Sequence, residues 1–228
     1  MSASTTPTVA KTARPTLLHK VFREAARPFR KLAGRTIPAL FESQKAAPRF
    51  TGSGANIAGF HPQQATVEEE AIPFIQDLVR QSQKYPGPII EIGTLLGITT
   101  TNIALAKAPQ QKIITVDLYC WNPWGLSTET HRALTSTVLH YLVETDQVEQ
   151  ICQDKNEFIR TYTGPAPSLV FLDAIHTYEE TKLDIEWAKR IGAKIIAGHD
   201  YSDDFPGVKR VVDEFGGPRA RSASVWVL

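Results

Sequence analysis

Cysteine is scarce in this sequence: its 228 residues hold two, Cys120 and Cys152, and neither stands in a CxxC or Cys/His spacing. That excludes a disulfide framework and a zinc knuckle and points to a reducing compartment. Long apolar runs are missing too. No stretch reaches the roughly eighteen consecutive apolar residues of a membrane span, and the N-terminus lacks the short apolar core and small-residue cleavage site of a secretory signal. The expectation is a cytoplasmic protein with no transmembrane segment. Acidic residues are nearly absent from one end only. The first 50 positions carry ten Lys/Arg against Glu24 and Glu42, so a tail of +8 adjoins a body of −7 behind a net charge of +1. An acidic body does not suit nucleic acid, whose phosphates need clustered Lys/Arg. The basic tail alone could bind anions.

What is present begins with that tail. Residues 1–15 are rich in Ser, Thr, Ala and Pro without periodicity, a composition that does not build a core. Leu17, Leu18, Val21, Phe22, Ala25, Phe29 and Leu32 then recur at helical spacing, with Lys20, Arg23, Arg30 and Lys31 between them and Pro28 set to kink or end the helix. Three readings stay open. The helix packs on its own body or on a second copy, giving a homo-oligomer; it lies on a membrane surface as a peripheral contact; or it is an organelle transit segment. Turn formers at Thr51, Gly52, Ser53 and Gly54 divide the chain into an extension, 1–54, and a folded domain, 55–228.

From Thr66 the pattern changes. Thr66 and Glu69 form a capping box for a helix reaching about Lys84, with a kink at Pro73 and a stop at Pro86-Gly87-Pro88. Short apolar runs follow at 89–92, 113–116, 148–152, 169–172 and 194–197, spaced for crossover helices, and a last strand covers 224–228. Before the fifth run, Leu183, Trp187, Ala188 and Ile191 share a helix face, and Gly192 supplies a left-handed cap. Buried parallel strands alternating with helices predict an α/β fold: a doubly wound, Rossmann-like, mostly parallel seven-stranded sheet with helices on both faces.

The first strand ends in Glu91-Ile92-Gly93-Thr94-Leu95-Leu96-Gly97, and a helix follows. Glycines there allow a tight turn and a close ligand approach, and the helix N-terminus offers free N–H groups. Twenty positions after Gly97, Asp117 closes the second strand, where an acid can accept from both ribose hydroxyls. A dinucleotide fold would show GxGxxG. This loop has two glycines, preceded by Glu91.

Glu-x-Gly-x-x-x-Gly resembles motif I of class I methyltransferases. The resemblance implies that Glu91, Gly93, Thr94 and Gly97 cradle the methionine part of S-adenosylmethionine and that Asp117 holds its ribose. Downstream, the segments from Val170 to Glu179, Ile195 to Tyr201 and Pro206 to Val212 are similar, in order, to the group that includes macrolide-sugar O-methyltransferases and cephalosporin-hydroxylase-like proteins. The match covers about residues 66–228. It implies methyl transfer to a small-molecule or sugar hydroxyl, with His176 as general base and Asp154 near the adenine.

Asp173 and Asp200 close the fourth and fifth strands, so both carboxylates reach the crevice at the sheet's carboxyl edge. Two carboxylates there suit a hard cation such as Mg2+. The family's third ligand is an acid directly before the second aspartate, and here that position is His199, a poorer magnesium ligand. Asp173 and Asp200 could instead hydrogen-bond the cofactor amine, a loop backbone or His199. Trp121 and Trp124 around Pro123 could wall a pocket or fill the core. Two other functions stay in view. One is a noncatalytic cofactor-binding or assembly module recruited through the basic tail. The other is an iron hydroxylase in which His176, His199 and Asp200 imitate a two-His-one-carboxylate triad.

Overall fold

The computed structural model describes residues 66–228. The expectations placed on the extension, its amphipathic segment and the boundary at residue 54 lie outside the described residues. Five apolar runs form parallel strands: β1 (Ile89–Ile92), β2 (Ile113–Asp117), β3 (Val148–Cys152), β4 (Leu169–Leu172) and β5 (Ile196–Gly198). Helix α1 (Ile72–Ser82) precedes β1, and α2 (Ile98–Ala106), α3 (Thr128–Glu144), α4 (Lys155–Thr161) and α5 (Tyr178–Arg190) cross between strands. Helix α6 (Pro206–Glu214), β6 (Ala220–Ser222) and β7 (Val225–Val227) complete the described chain. The strand order is β3-β2-β1-β4-β5-β7-β6, with β7 antiparallel to both its partners. This is the doubly wound sheet of the sequence pattern.

Alternation along each strand makes the two layers. Ile89, Ile113, Leu169, Phe171 and Ala197 pack with Ile75, Leu78 and Val79 of α1, Ile103 of α2 and Leu139 of α3. Ile90, Ile92, Val116, Val170, Leu172 and Ile196 turn the other way, onto Phe158 of α4, Ile185 and Trp187 of α5, and Val208, Val211 and Val212 of α6. Successive strand side chains point to opposite faces, so a strand buried on both faces has no polar alternation, as β1 and β4 show. Strand order reverses between β1 and β4, and the crevice opens at their carboxyl ends.

Several local expectations differ. The Thr66/Glu69 capping box does not form: Glu68 stands before a 3-10 turn, Glu69–Ala71, with no side-chain cap, and Thr66 Oγ1 lies 3.4 Å from Thr99 Oγ1. Pro73 does not kink a helix but sits in the first turn of α1, where its missing N–H costs nothing. Leu183 is 49% exposed, and the inner face of α5 is built on Ile185, Trp187 and Ala188. Gly192 does adopt the left-handed cap, at φ 75°. β5 begins at Ile196, two residues after the start of the apolar run at Lys194. β6 carried no sequence signal, being a short, exposed edge strand.

Candidate functional site

The turn after β1 is shaped by two glycines. Gly93 has φ 99°, and a Cβ there would stand 2.0 Å from the carbonyl oxygen of Asp173. Only glycine lets the loops after β1 and β4 approach this closely. Gly97, at φ 79°, is the N-cap of α2, and a side chain would strike Leu139.

Asp117 ties this turn to the one after β2. Its Oδ2 accepts N–H bonds from Thr94 (2.9 Å) and Leu95 (2.8 Å), and its Oδ1 accepts from Tyr119 N–H (2.7 Å). A carboxylate offers about four lone-pair positions. Three are engaged, which leaves room for one ribose hydroxyl rather than two while these bonds persist.

Glu91 and Thr94 turn inward. The Glu91 side chain is fully buried, with Oε2 accepting from Thr115 Oγ1 at 2.6 Å and from Thr100 Oγ1, while Oε1 has no partner among the described residues. Burial pushes its carboxyl up to about 8 against the pull of the two threonines, so it is neutral at pH 7. Thr94 Oγ1 lies 2.6 Å from Thr115 Oγ1. These residues brace β1, α2 and β2 beneath the turn. Asp154 is exposed, and its Oδ1 accepts from Asn156 and Glu157 N–H to cap α4. The two tryptophans part company: Trp124 is buried and Trp121 exposed.

His131 was not singled out in the sequence. It is fully buried on α3, with Nε2 3.0 Å from Leu95 O and Nδ1 3.3 Å from Tyr119 O, and Thr135 Oγ1 also donates to Leu95 O at 2.5 Å. Leu95 and Tyr119 both have left-handed backbones, at φ 47° and 58°. A histidine at the fourth position of a helix gives no sign that it will meet two loop carbonyls. Only the tertiary fold shows it.

The second half of the site lies across the crevice. Asp173 follows β4, and its N–H donates to Ile92 O. His199 follows β5, held by its N–H to Leu172 O and by its carbonyl, which accepts from Trp226 Nε1. Asp200 has φ 61°, a conformation Asp tolerates better than most residues. Ligand atoms of Asp173, His199 and Asp200 all lie within 4.8 Å of one another. His199 Nδ1 is 3.3 Å from Asp173 Oδ1 and 3.4 Å from Asp200 Oδ1, and Nε2 is 3.1 Å from Glu68 Oε2. Burial alone would lower the basicity of His199, but Asp173, Asp200 and Glu68 together outweigh it and raise the imidazole to about 9. Burial raises Asp200 despite both histidines. Glu68 stands below its ordinary value: burial raises it, and the Ser224 hydrogen bond and His199 outweigh that. Glu68 was also missed, since nothing near it in the chain signals a partner as distant as His199.

His176 sits on the turn leaving β4, its ring 4.9 Å from that of Phe205 and its Nδ1 3.1 Å from Asp200 Oδ2. Gly207 packs closely on this turn: a Cβ there would stand 2.7 Å from Tyr178 N and 3.2 Å from His176 O. The structure therefore brings together Asp173, His176, His199 and Asp200 and joins them through Gly93 to the glycine turn.

Residues 90–201 match a family model described as a methyltransferase domain. Among solved structures, the chain is similar to the O-methyltransferase from Bacillus cereus in complex with SAH, at 20% identity over 67% of this chain and 71% of that one, TM-score 0.52. It is also similar to the O-methyltransferase TomG from Streptomyces achromogenes, involved in tomaymycin synthesis and in complex with SAM, at 17% identity over 80% and 84%, TM-score 0.53. A third likeness is to the calicheamicin methyltransferase CalS11, at 17% identity over 69% and 77%, TM-score 0.51. At these identities the structural likeness is one of fold. A search of curated protein sequences gives no match.

Proposed function

The chain is a class I, S-adenosylmethionine-dependent methyltransferase, matching the methyltransferase-domain family over residues 90–201, and from that premise we propose that it methylates a hydroxyl of a small molecule or sugar with His176 as general base. The observation that carries this reading is the 3.1 Å pairing of His176 Nδ1 with Asp200 Oδ2 beside the glycine turn. A carboxylate on Nδ1 holds that nitrogen as the donor and leaves Nε2 free to accept a proton. The acceptor hydroxyl gives its proton to Nε2 as its oxygen bonds to the methyl carbon and the carbon–sulfur bond breaks.

S-adenosylmethionine supplies the activated methyl group. Gly93 and Gly97 let its cradle close against Asp173 and Leu139, and Asp117 retains a position for a ribose hydroxyl. Glu91 and Thr94 support the cradle from beneath. Asp154 remains a candidate for the adenine side, although one of its oxygens is engaged in capping α4.

Asp173, His199 and Asp200 are the candidate ligands of a divalent cation, and their clustered donor atoms fit one. Such an ion would act as a Lewis acid on the acceptor hydroxyl. Magnesium is the less suited choice because one of the three donors is an imidazole.

In this reading residues 55–228 are the catalytic domain, and 1–54 are an appendage that could serve self-association or peripheral membrane contact. No helix among the described residues is long and apolar enough to cross a membrane. Cys120 and Cys152 are free and exposed, which fits a cytoplasmic setting.

The test is His176→Ala. Its affinity for S-adenosylmethionine by calorimetry should stay within about twofold, while S-adenosylhomocysteine release with a panel of hydroxylated sugars falls about 100- to 10,000-fold. Unchanged turnover on an accepted sugar would remove His176 from the mechanism.

A further inference from the structure

His199 presents a problem of charge that the fold answers in a specific way. Its Nδ1 faces carboxylate oxygens of Asp173 and Asp200, while its Nε2 lies 3.1 Å from Glu68 Oε2. Glu68 is itself fixed, because Ser224 Oγ, in the turn between β6 and β7, donates to its Oε1 at 2.6 Å. With the backbone of His199 anchored at both N–H and C=O, the ring has little freedom. A carboxylate on Nε2 holds the proton there and directs the Nδ1 lone pair at two anionic oxygens. Something positive must stand between them.

The distances admit an ion as the occupant. The Nδ1 separations, 3.3 and 3.4 Å, are long for a charge-assisted N–H···O bond, and the donor atoms of all three residues cluster closely enough to share one ion. Two donors bound to one ion at about 2.1 Å stand about 3.0–3.4 Å apart. We propose that Glu68, backed by Ser224, is a positioning residue that aims His199 Nδ1 as the third protein ligand beside Asp173 and Asp200, and that the site therefore takes a first-row transition ion in preference to magnesium. This rests on the metal reading of the preceding subsection. An imidazole nitrogen suits a borderline first-row ion such as cobalt and is a poor exchange for oxygen at magnesium. A carboxylate on the far nitrogen of a ligating histidine raises its basicity and holds its orientation.

The experiment is equilibrium binding of Co2+, Mn2+ and Mg2+ to the full chain, with the visible absorption of Co2+ reporting imidazole ligation and circular dichroism checking that each variant is folded. Wild type should bind Co2+ at least about 100-fold more tightly than Mg2+. Glu68→Ala should weaken Co2+ about 10- to 100-fold, and Glu68→Gln, whose amide oxygen still accepts from Nε2–H, should retain most of the affinity. His199→Asp should narrow the preference for Co2+ over Mg2+. Equal or tighter binding of Mg2+ by wild type, or Co2+ affinity unmoved in Glu68→Ala, overturns the proposal and leaves the metal reading standing. No binding of any of the three ions overturns both, and identifies the occupant between Nδ1 and the carboxylates as a proton.

Discussion

The carbonyl oxygen of Leu95 in the glycine turn lies 3.0 Å from Nε2 of His131, a residue 36 positions later and fully buried on α3. The other ring nitrogen faces Tyr119 O, while Asp117 accepts the N–H groups of Thr94, Leu95 and Tyr119. The turns after β1 and β2 are thus fastened to each other through their amides by an acid, and an imidazole is lodged between their carbonyls.

Replacing His131 with Leu should cost about 1–3 kcal/mol, since the carbonyl that takes the ring N–H, Leu95 O or Tyr119 O, loses that donor, although Leu95 O keeps Thr135. Urea denaturation measures the cost. Calorimetry should show weaker S-adenosylmethionine binding in the same variant, because left-handed backbones at Leu95 and Tyr119 lose their support. Unaltered affinity would mean that Asp117 alone holds the turns.

Asp117→Ala removes three charge-assisted acceptor contacts at once. The loss should be several kcal/mol, on the order of 1.5–3 for each contact before relaxation, with cofactor binding reduced by more than about tenfold. Asp117→Asn is the informative companion, since its single amide oxygen can keep one side of the tie. Affinity between those of wild type and the alanine variant is the expected outcome.

Glu91 gives stability a pH dependence with a definite sign. Its carboxyl titrates near 8 when folded and near 4.5 as a free side chain, so the folded state holds the proton more tightly. Its contribution is complete below about pH 4.5 and is lost as pH rises through about 8, on the order of a few kcal/mol in all. Glu91→Gln cannot ionise. Denaturation midpoints at pH 6 and pH 9 should therefore fall less in Glu91→Gln than in wild type, and parallel falls would count against a buried neutral carboxyl.

The buried cation of α4 belongs to structure rather than chemistry. Lys155 Nζ lies 2.7 Å from both Asp184 Oδ1 and Glu180 Oε2, and the Lys155 and Asp184 side chains are 6% and 3% exposed. Burial lifts Asp184 to about 6 even with Lys155 beside it. Lys155→Met should destabilise by about 3–5 kcal/mol because it strands a buried acid. Adding Asp184→Leu should recover much of that loss, as chemical denaturation of the pair would show.

How far the sequence could be read depends on how local each cause is. Strands β1 and β4 are apolar runs because both their faces are covered, and they begin and end where those runs do; edge strand β3 also spans its run, although Glu149 and Cys152 are exposed. Gly93, Gly97 and Gly192 were legible because a left-handed or crowded backbone requires glycine wherever the rest of the chain lies. Asp173, His176, His199 and Asp200 follow strand ends, and strand ends converge in a doubly wound sheet. What stayed hidden depends on partners far along the chain. Glu68 meets Ser224 across 156 positions, His131 meets Leu95 across 36, and β6 is a strand only because β7 lies beside it. Pro73 was misplaced for a smaller reason: the helix expected from Thr66 starts at Ile72, and the same residue that would kink a helix interior suits its first turn.

With no room for a Cβ between Gly93 and the Asp173 carbonyl, the turn after β1 and the turn after β4 share one incompressible joint. Neither can be widened there without displacing the other. On the proposed reading, altered acceptor range must therefore be sought away from this joint, at exposed side chains of the outer loops such as Trp121.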